Sequence, residues 1–514
     1  MSARKIGMLL LLLAVGGAIE TSWQVHRNWQ LGPDGCRVMG GRFYGPSYTF
    51  EQADQRAIGA EPQLVVKNAF GGVRVSAGAA GVVKARLRKV VFEPTEQEAR
   101  AFADRIELRL SVEGSAARVE TNRELLARND DVGFETHLEL EVPPDTVVTV
   151  KNEHGQVDLS GVRSADVVSS FDGVSVRKLA GPLKLDSRHG DVSVSDLGGA
   201  LELTSRHGGV ALLDLHGPAT IDSQHGDLTV RRSGRLEIRQ QHGAVTAEGV
   251  DGDLVVRAGH SEVKASDVRG NADVETSFAG TELTRIGGDA RAKADHGAVS
   301  AEDVAGGATI ETSYEAIALD RVGGATALNV HHGGVEGKGL AQGVRVRASG
   351  GDVTLDGFSG PAEVELERGN ARLTPRAAVT APLSVSVKNG EAELALPEGS
   401  HVDVQAESRR GEVHSDVSEL RGTSGHDGPG HQLSGRLAGG GNAVTLRADG
   451  DVRITTQPAS AIAERALAKP EIASATVSAT KAPGATPAEA PLAEATARPP
   501  AAPRASRPPA EKTP

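Results

Sequence analysis

From residue 151 to about residue 415 the chain repeats itself every 17 or 18 residues. A period of that length fixes the kind of fold available, because each copy must be one structural unit stacked on the next. The landmark is a His-Gly step. His154, His189, His207, His225, His242, His260, His296 and His332 stand in one column, with Ser261 replacing the Gly after His260. Phe171, Phe278 and Tyr314 fill the places without a His. The column continues through Gly350 and Arg368, then Asn389 and Arg410 after two spacers of 21.

Within one period, apolar residues fall three and five places after the His, as Val192 and Val194 or Val210 and Leu212. That alternation predicts a short, half-buried strand. Another apolar residue follows at the eighth place (Leu197, Leu215, Val250, Val268), then Gly or Gly-Gly, then a second alternating pair such as Leu201 and Leu203. Each period therefore reads strand, corner, strand, turn. One such unit cannot bury its apolar side alone, whereas stacked copies bury a continuous core. The predicted fold is all-β: a β-solenoid, a single-stranded β-helix-like stack of coils of about 18 residues. At about 4.8 Å per strand spacing, the fifteen column positions from His154 to Arg410 span roughly 67 Å.

Two readings of the His column compete. In the first, the His-Gly step is a corner: His accepts positive φ more readily than most residues, and the following Gly does so freely. In the second, His189, His207, His225, His242 and His260 form a metal ladder. The corner reading is preferred, because Phe, Tyr, Gly and Arg replace His without disturbing the pattern, which a ligand position does not allow. Asp191, Asp227 and Asp352, each just after the corner Gly, read as turn residues. No catalytic residue and no cofactor are expected.

Composition agrees with a thin core. Aromatics make up 3% of the 514 residues and Gly numbers 63, which excludes a large core of Phe and Trp. The net charge is −12 with no block of Lys or Arg, so nucleic acid is not an expected partner. The single cysteine, Cys36, excludes an intramolecular disulfide framework and leaves pairing between chains or an idle thiol.

Outside the repeats the chain changes character several times. Residues 1–22 read as a signal peptide or signal anchor: Arg4 and Lys5 precede the apolar run Ile6 to Ile19, which is shorter than a spanning helix of about 20 residues. Export to the periplasm or cell surface is expected, with residues 6–19 as an inner-membrane anchor if uncleaved. Residues 23–62 form an aromatic-rich linker; Ser22 to Phe50 holds six of the fourteen aromatics. Residues 63–150 are a β-rich start or cap. LVVKNAFGGVRV there carries half of the later pattern, with Phe70 before Gly71. Thr95-Glu96-Gln97-Glu98 is a capping box opening a short helix to about Ile106, packed on the sheet through Phe102 and Ile106. Such a cap would cover the strand edges at the N-terminal end of the stack. Residues 151–420 are the repeats, and residues 421–456 a loop or hairpin insertion followed by a closing coil. Residues 457–514 are Ala, Pro, Thr and Glu with almost no large apolar side chain, a composition expected to be disordered.

KNAFGGVRV in the β-rich start, coils of the form HGxVxV, and GNAVTLRADGDVRIT at the end together resemble the bacterial putative-adhesin family. That family is an exported β-strand repeat domain without assigned function. The resemblance covers about Gln63 to Thr456 and implies a β-solenoid, exported or membrane-anchored, with no catalytic motif to carry over. This chain departs from the family in the regularity of its His column and in its Ala/Pro tail. The function expected is therefore a non-enzymatic cell-envelope adhesin or scaffold whose partner is an envelope protein or surface ligand. The alternative is a polysaccharide lyase or hydrolase on a β-helix, which needs paired carboxylates or Lys/Arg clustered on one coil. A hexapeptide acyltransferase helix also has 18-residue coils, but its apolar positions recur every six residues and these do not.

Overall fold

The structure, a computed structural model, describes residues 37–39, 42–44, 46–123, 126, 132–424 and 431–458. The export segment, Trp23, Trp29, Cys36 and the tail beyond residue 458 lie outside the described residues.

Each coil gives one strand to each of two long parallel sheets. Leu183–His189 and Val192–Leu197 make one coil, and Leu201–His207 and Val210–Leu215 make the next. The ladders join equivalent residues: Leu183 to Leu201, His189 to His207, Val192 to Val210. Among the described residues the two sheets hold 21 and 20 strands and wind through about 14 turns. This is the all-β solenoid the period predicts. Leu183, Leu185, Val192, Val194 and Leu197 all point inward and are each 1% exposed. Burying one such side chain stabilises by about 1.5–3 kcal/mol, so the stack is held by many equal contributions rather than one dominant core.

Changes of period fall in corners. In the 17-residue step from His225 to His242, the strands keep their length, and Leu215 still pairs with Ser233 and Ala219 with Leu236. The missing residue comes from the turn between them. The 21-residue step works in reverse. Seven residues lie between Pro375 and Leu383 against three between the paired Phe358 and Ala362, the strand before them being one residue shorter, and Val379 from that turn is buried, its amide donating to Ser400 Oγ at 3.0 Å.

The corners correct one expectation. The column His is the last residue of its strand, and the left-handed backbone belongs to the Gly after it: φ is +114° at Gly190, +125° at Gly208 and +118° at Gly226. A Cβ on Gly208 would also sit 2.3 Å from Gly190 O of the coil below, so close packing of coils demands Gly a second time. The second corner of each coil has its own left-handed residue, just before the buried eighth place. Asp196, Asp214, Arg232, Asp267, Arg285, Asp303 and Arg321 occupy it at φ 55–58°. The turn aspartates serve as bridges between coils. Asp191 Oδ1 accepts from Gly209 N at 2.8 Å, and Asp227 and Asp352 do the same one coil on.

Both ends abandon the simple coil. At the N-terminal end Gln63–Phe70 and Gly72–Ala77 form the first coil, pairing with Val147–His154 and Val157–Ser160. Beyond them one more parallel strand joins each sheet, Ala116–Thr121 and Gly133–Val142, and antiparallel strands then take over. Leu108–Glu113 ends one sheet and the 11-residue Ser47–Ala57 ends the other. The Gln52 side-chain amide joins these two edges, donating to Leu108 O at 3.4 Å and accepting from Leu108 N at 3.1 Å. The helix Glu96–Ala103 packs on this cap. Thr95 Oγ1 accepts from Glu98 N at 3.3 Å, as the capping box predicts, although the helix stops three residues before Ile106. Lys89, only 6% exposed, ends the helix by donating to Ala103 O at 2.9 Å and to Ile106 O. A cation at a helix C-terminus is favourable; burial nevertheless holds this amine below its ordinary value, against the pull of Asp104 and Glu107.

At the C-terminal end the strand order crosses. The sequence predicts a closing coil at the end of residues 421–456, but Asn442–Ala448 lies between Leu383–Asn389 and Val402–Ser408, parallel to both. The last coil is thus the one at residues 402–415. Its outer side is covered by an antiparallel hairpin, Arg421–Ser424 with His431–Leu437.

Candidate interaction surface: a ladder of stacked rings

Because the sheets are in register, every ring in the His column lands on the one below. Twelve rings stack face to face in an unbroken line from Phe70 to His332, with centroids 4.5–5.7 Å apart. The five consecutive histidines, His189, His207, His225, His242 and His260, are spaced 4.9, 5.0, 4.8 and 5.0 Å. The structure brings all five together, as the column spacing predicts. Phe171, Phe278 and Tyr314 belong to the same line rather than interrupting it.

The stacking restricts what these imidazoles can do. An imidazole nitrogen carries its lone pair in the ring plane, so parallel rings hold their lone pairs side by side. A zinc ion needs nitrogens about 2.0–2.1 Å away and converging on it. Neighbours in the ladder do not converge. Among the described residues no three His, Cys, Asp or Glu side chains are grouped so as to hold a metal. The ring faces are also covered by one another, so the ladder offers solvent a row of ring edges, not a stacking platform.

The edge is nonetheless unusual for its apolar content. Among the described residues five large hydrophobic side chains are exposed, and Phe171 (43%), Phe278 (54%) and Tyr314 (55%) of the ladder are three of them. Beneath the rings, two places before the column residue, lies a buried column that is polar in the earlier coils, and where its side chain reaches the corner carbonyl it fastens the corner. Asn152 Nδ2 donates to Gly155 O, Gln240 Nε2 to His242 O at 2.6 Å and Gly226 O at 2.7 Å, and Thr276 Oγ1 to Ala279 O at 3.1 Å.

At its N-terminal end the ladder is closed by a residue that no repeat announces. Arg123 lies between Phe70 and Phe134, its guanidinium 5.0 and 4.8 Å from the two ring centres, and donates to Phe134 O at 3.0 Å. Burial pushes it down to about 10. Phe134 in turn packs on Phe102 of the helix at 5.0 Å. The stack therefore continues from the rod into the cap.

On the opposite corner the left-handed residues make a second, charged ladder. Arg232 pairs with Asp214, Arg285 with Asp267 and Arg321 with Asp303, each across one coil and each with a second contact at 2.9, 2.7 and 3.0 Å. The guanidinium bond holds each of these carboxyls below the usual carboxylate range. Two surface depressions, one here beside Asp251 and Arg269 and one in the cap beside Lys84 and Glu141, contain carboxylates already paired at 2.9 and 3.1 Å. General acid–base chemistry asks for a carboxyl free to exchange its proton with a substrate.

Fold and ladder together define a class: a parallel β-solenoid that displays one continuous edge of stacked rings. Residues 288–455, the later coils and the crossed strands, match the family described as Toastrack DUF4097. That stretch is about a third of the chain and lies within the part whose sequence resembles the putative-adhesin repeat family. No curated protein matches the chain. Solved structures similar to it include the following two. One is a putative cell adhesion protein from Clostridium sporogenes, 7% identical over 79% of this chain and 100% of the other, with a TM-score of 0.16. The other is a putative adhesin from Parabacteroides merdae, 7% identical over 63% and 95%, with a TM-score of 0.15. At such scores the superpositions carry no argument about fold or role.

Proposed function

We propose that the protein is a non-enzymatic, exported scaffold of the cell envelope, an adhesin-type rod that meets its partner along the ring ladder. The observation that carries this reading is the concentration of exposed Phe171, Phe278 and Tyr314 on one edge of a rigid stack. Exposed apolar side chains gathered on one face mark interaction surfaces. The match of residues 288–455 to the Toastrack family fits a β-solenoid scaffold. Export follows from the basic start and apolar run at residues 4–19.

The test is adhesion of beads carrying the purified protein to isolated envelopes of the producing cells. Binding should fall strongly in the triple variant Phe171→Ser, Phe278→Ser, Tyr314→Ser while its melting temperature stays within a few degrees of the parent. Equal adhesion by the variant would remove the ladder from the role. Release of reducing or unsaturated ends from a polysaccharide panel would instead establish the enzyme alternative, and recovery of the protein solely in cytosol would exclude an envelope role.

A further inference from the structure

The ladder is complete at one end and interrupted at the other. Phe70 is a full rung, with the His154 ring 4.7 Å from one face and the Arg123 guanidinium 5.0 Å from the other. At the far end, the column position after His332 is Gly350. The pairing of Val330 with Ala348 puts it there, and Gly333 N donates to Gly350 O just as Gly190 N donates to His207 O. Gly350 brings no ring. His332 therefore has one stacked neighbour, Tyr314, and that contact is the loosest in the ladder, at 5.7 Å and 30°. The column resumes at Arg368, placed by the pairing of Ala348 with Leu366.

Two strand spacings separate His332 from Arg368, about 9.6 Å. One flat ring in that gap would stand about 4.8 Å from each side, the spacing of the existing rungs. The gap is not a by-product of backbone need. Gly351 has φ +94° and must be glycine, whereas Gly350 is not in the left-handed region, and a Cβ added there meets nothing nearer than 3.8 Å, from His331 O and His332 Nδ1. Arg368 is exposed and makes no ion pair among the described residues; its neighbour Glu367 is taken by Lys388 at 2.9 Å.

We propose that this missing rung is a binding slot for an aromatic side chain of a partner polypeptide. The ring would be held between the His332 imidazole and the Arg368 guanidinium as Phe70 is held between His154 and Arg123. A guanidinium over a π face is attractive, most strongly for indole, so tryptophan is the favoured occupant. The inference uses the ladder's geometry alone and stands whether or not the adhesin reading does.

The experiment titrates the full chain, labelled at its histidine rings, with N-acetyl-tryptophanamide and follows the ring resonances by NMR. The His332 signals should move upfield and saturate in the millimolar range, while those of His189 and His207 stay in place. Gly350→Phe, whose own ring fills the slot, should abolish the shift and melt at or above the parent's temperature. Arg368→Ala should weaken binding several-fold at unchanged melting temperature. The proposal is overturned by a silent His332, by a shift that survives Gly350→Phe, or by a Gly350→Phe protein that melts well below the parent, since the gap would then not accept a ring.

Discussion

Ser187, Ser205 and Ser223 occupy the polar column beneath the rings, are at most 1% exposed, and carry hydroxyls without a hydrogen-bond partner. A longer side chain reaches the corner carbonyl from this position, as Gln240 does, but these serines do not. A buried hydroxyl without a partner gives back little of what it lost to water. Ala258, Ala294 and Ala348 fill the same column in later coils. Ser205→Ala is therefore expected to leave unfolding free energy within about 1 kcal/mol of the parent, or to raise it. A larger loss in urea titration would mean that the hydroxyl makes a bond that stabilises the corner. His225, stacked at 5.0 and 4.8 Å, should be similarly replaceable. His225→Asn gives up ring contacts worth about 1 kcal/mol and should remain folded. Nickel or zinc should change the melting temperature of the parent little. A strong gain with metal that disappears in the variant would reinstate the metal ladder.

At the scale of the element, each corner solves the same problem differently. The ring corner uses Gly, while the opposite corner holds Asp or Arg in the left-handed region, a cost of about 1–3 kcal/mol for a residue other than Gly. Pairing each Arg with the Asp one coil below offsets part of that strain. The carboxyls of Asp214, Asp267 and Asp303 lie below their ordinary value because the guanidinium favours the charged form. In the unfolded chain they protonate at the ordinary value, so acid loads protons onto that state first. The contribution of these pairs is whole above the ordinary carboxylate range and is lost as pH falls through the depressed values. The pairs are well exposed, so the effect should be modest and screened by salt. Urea unfolding followed from pH 5 downward should show a shallower decline in the triple Asp→Asn variant than in the parent; identical slopes would show that these carboxyls do not drive acid unfolding. This second ladder was in principle legible, since Asp, Arg and Gly recur one place before the buried eighth position. It was hidden because the His-Gly step drew the positive φ to the wrong residue.

For the whole molecule, repetition governs both stability and how much the chain discloses about itself. Removing one complete period, residues 206–223, should shorten the rod and leave it folded, because each coil contacts only its neighbours. Removing half of it should unfold the protein by turning the inward residues downstream outward. A half-coil deletion with unchanged circular dichroism and melting would contradict the solenoid. The same logic explains what could be read beforehand. Strand placement, the inward residues and the ring column recur a dozen times, so accidental noise averages out. Phe70 was found because KNAFGGVRV copies the repeat. Arg123, Lys89 and the crossed strands occur once, in segments without a period, and their positions depend on distant chain that composition does not reveal.

That crossing has a consequence for how the chain is made. Residues 402–415 emerge from the ribosome before residues 442–457, yet the later segment lies between them and the rest of the rod. Growth by simple addition must therefore halt after Ala392–Pro397, and the terminal coil can dock only when synthesis has passed beyond it. A chain stopped before Asn442 should yield a rod that protease trims back to about residue 400, whereas the finished chain should resist cleavage up to Gln457. Similar resistance in both would mean that the last coils can close without the inserted strand. If the trimming occurs, the far end of the rod works as a checkpoint, admitting the coil at residues 402–415 only once residues 442–457 have been made.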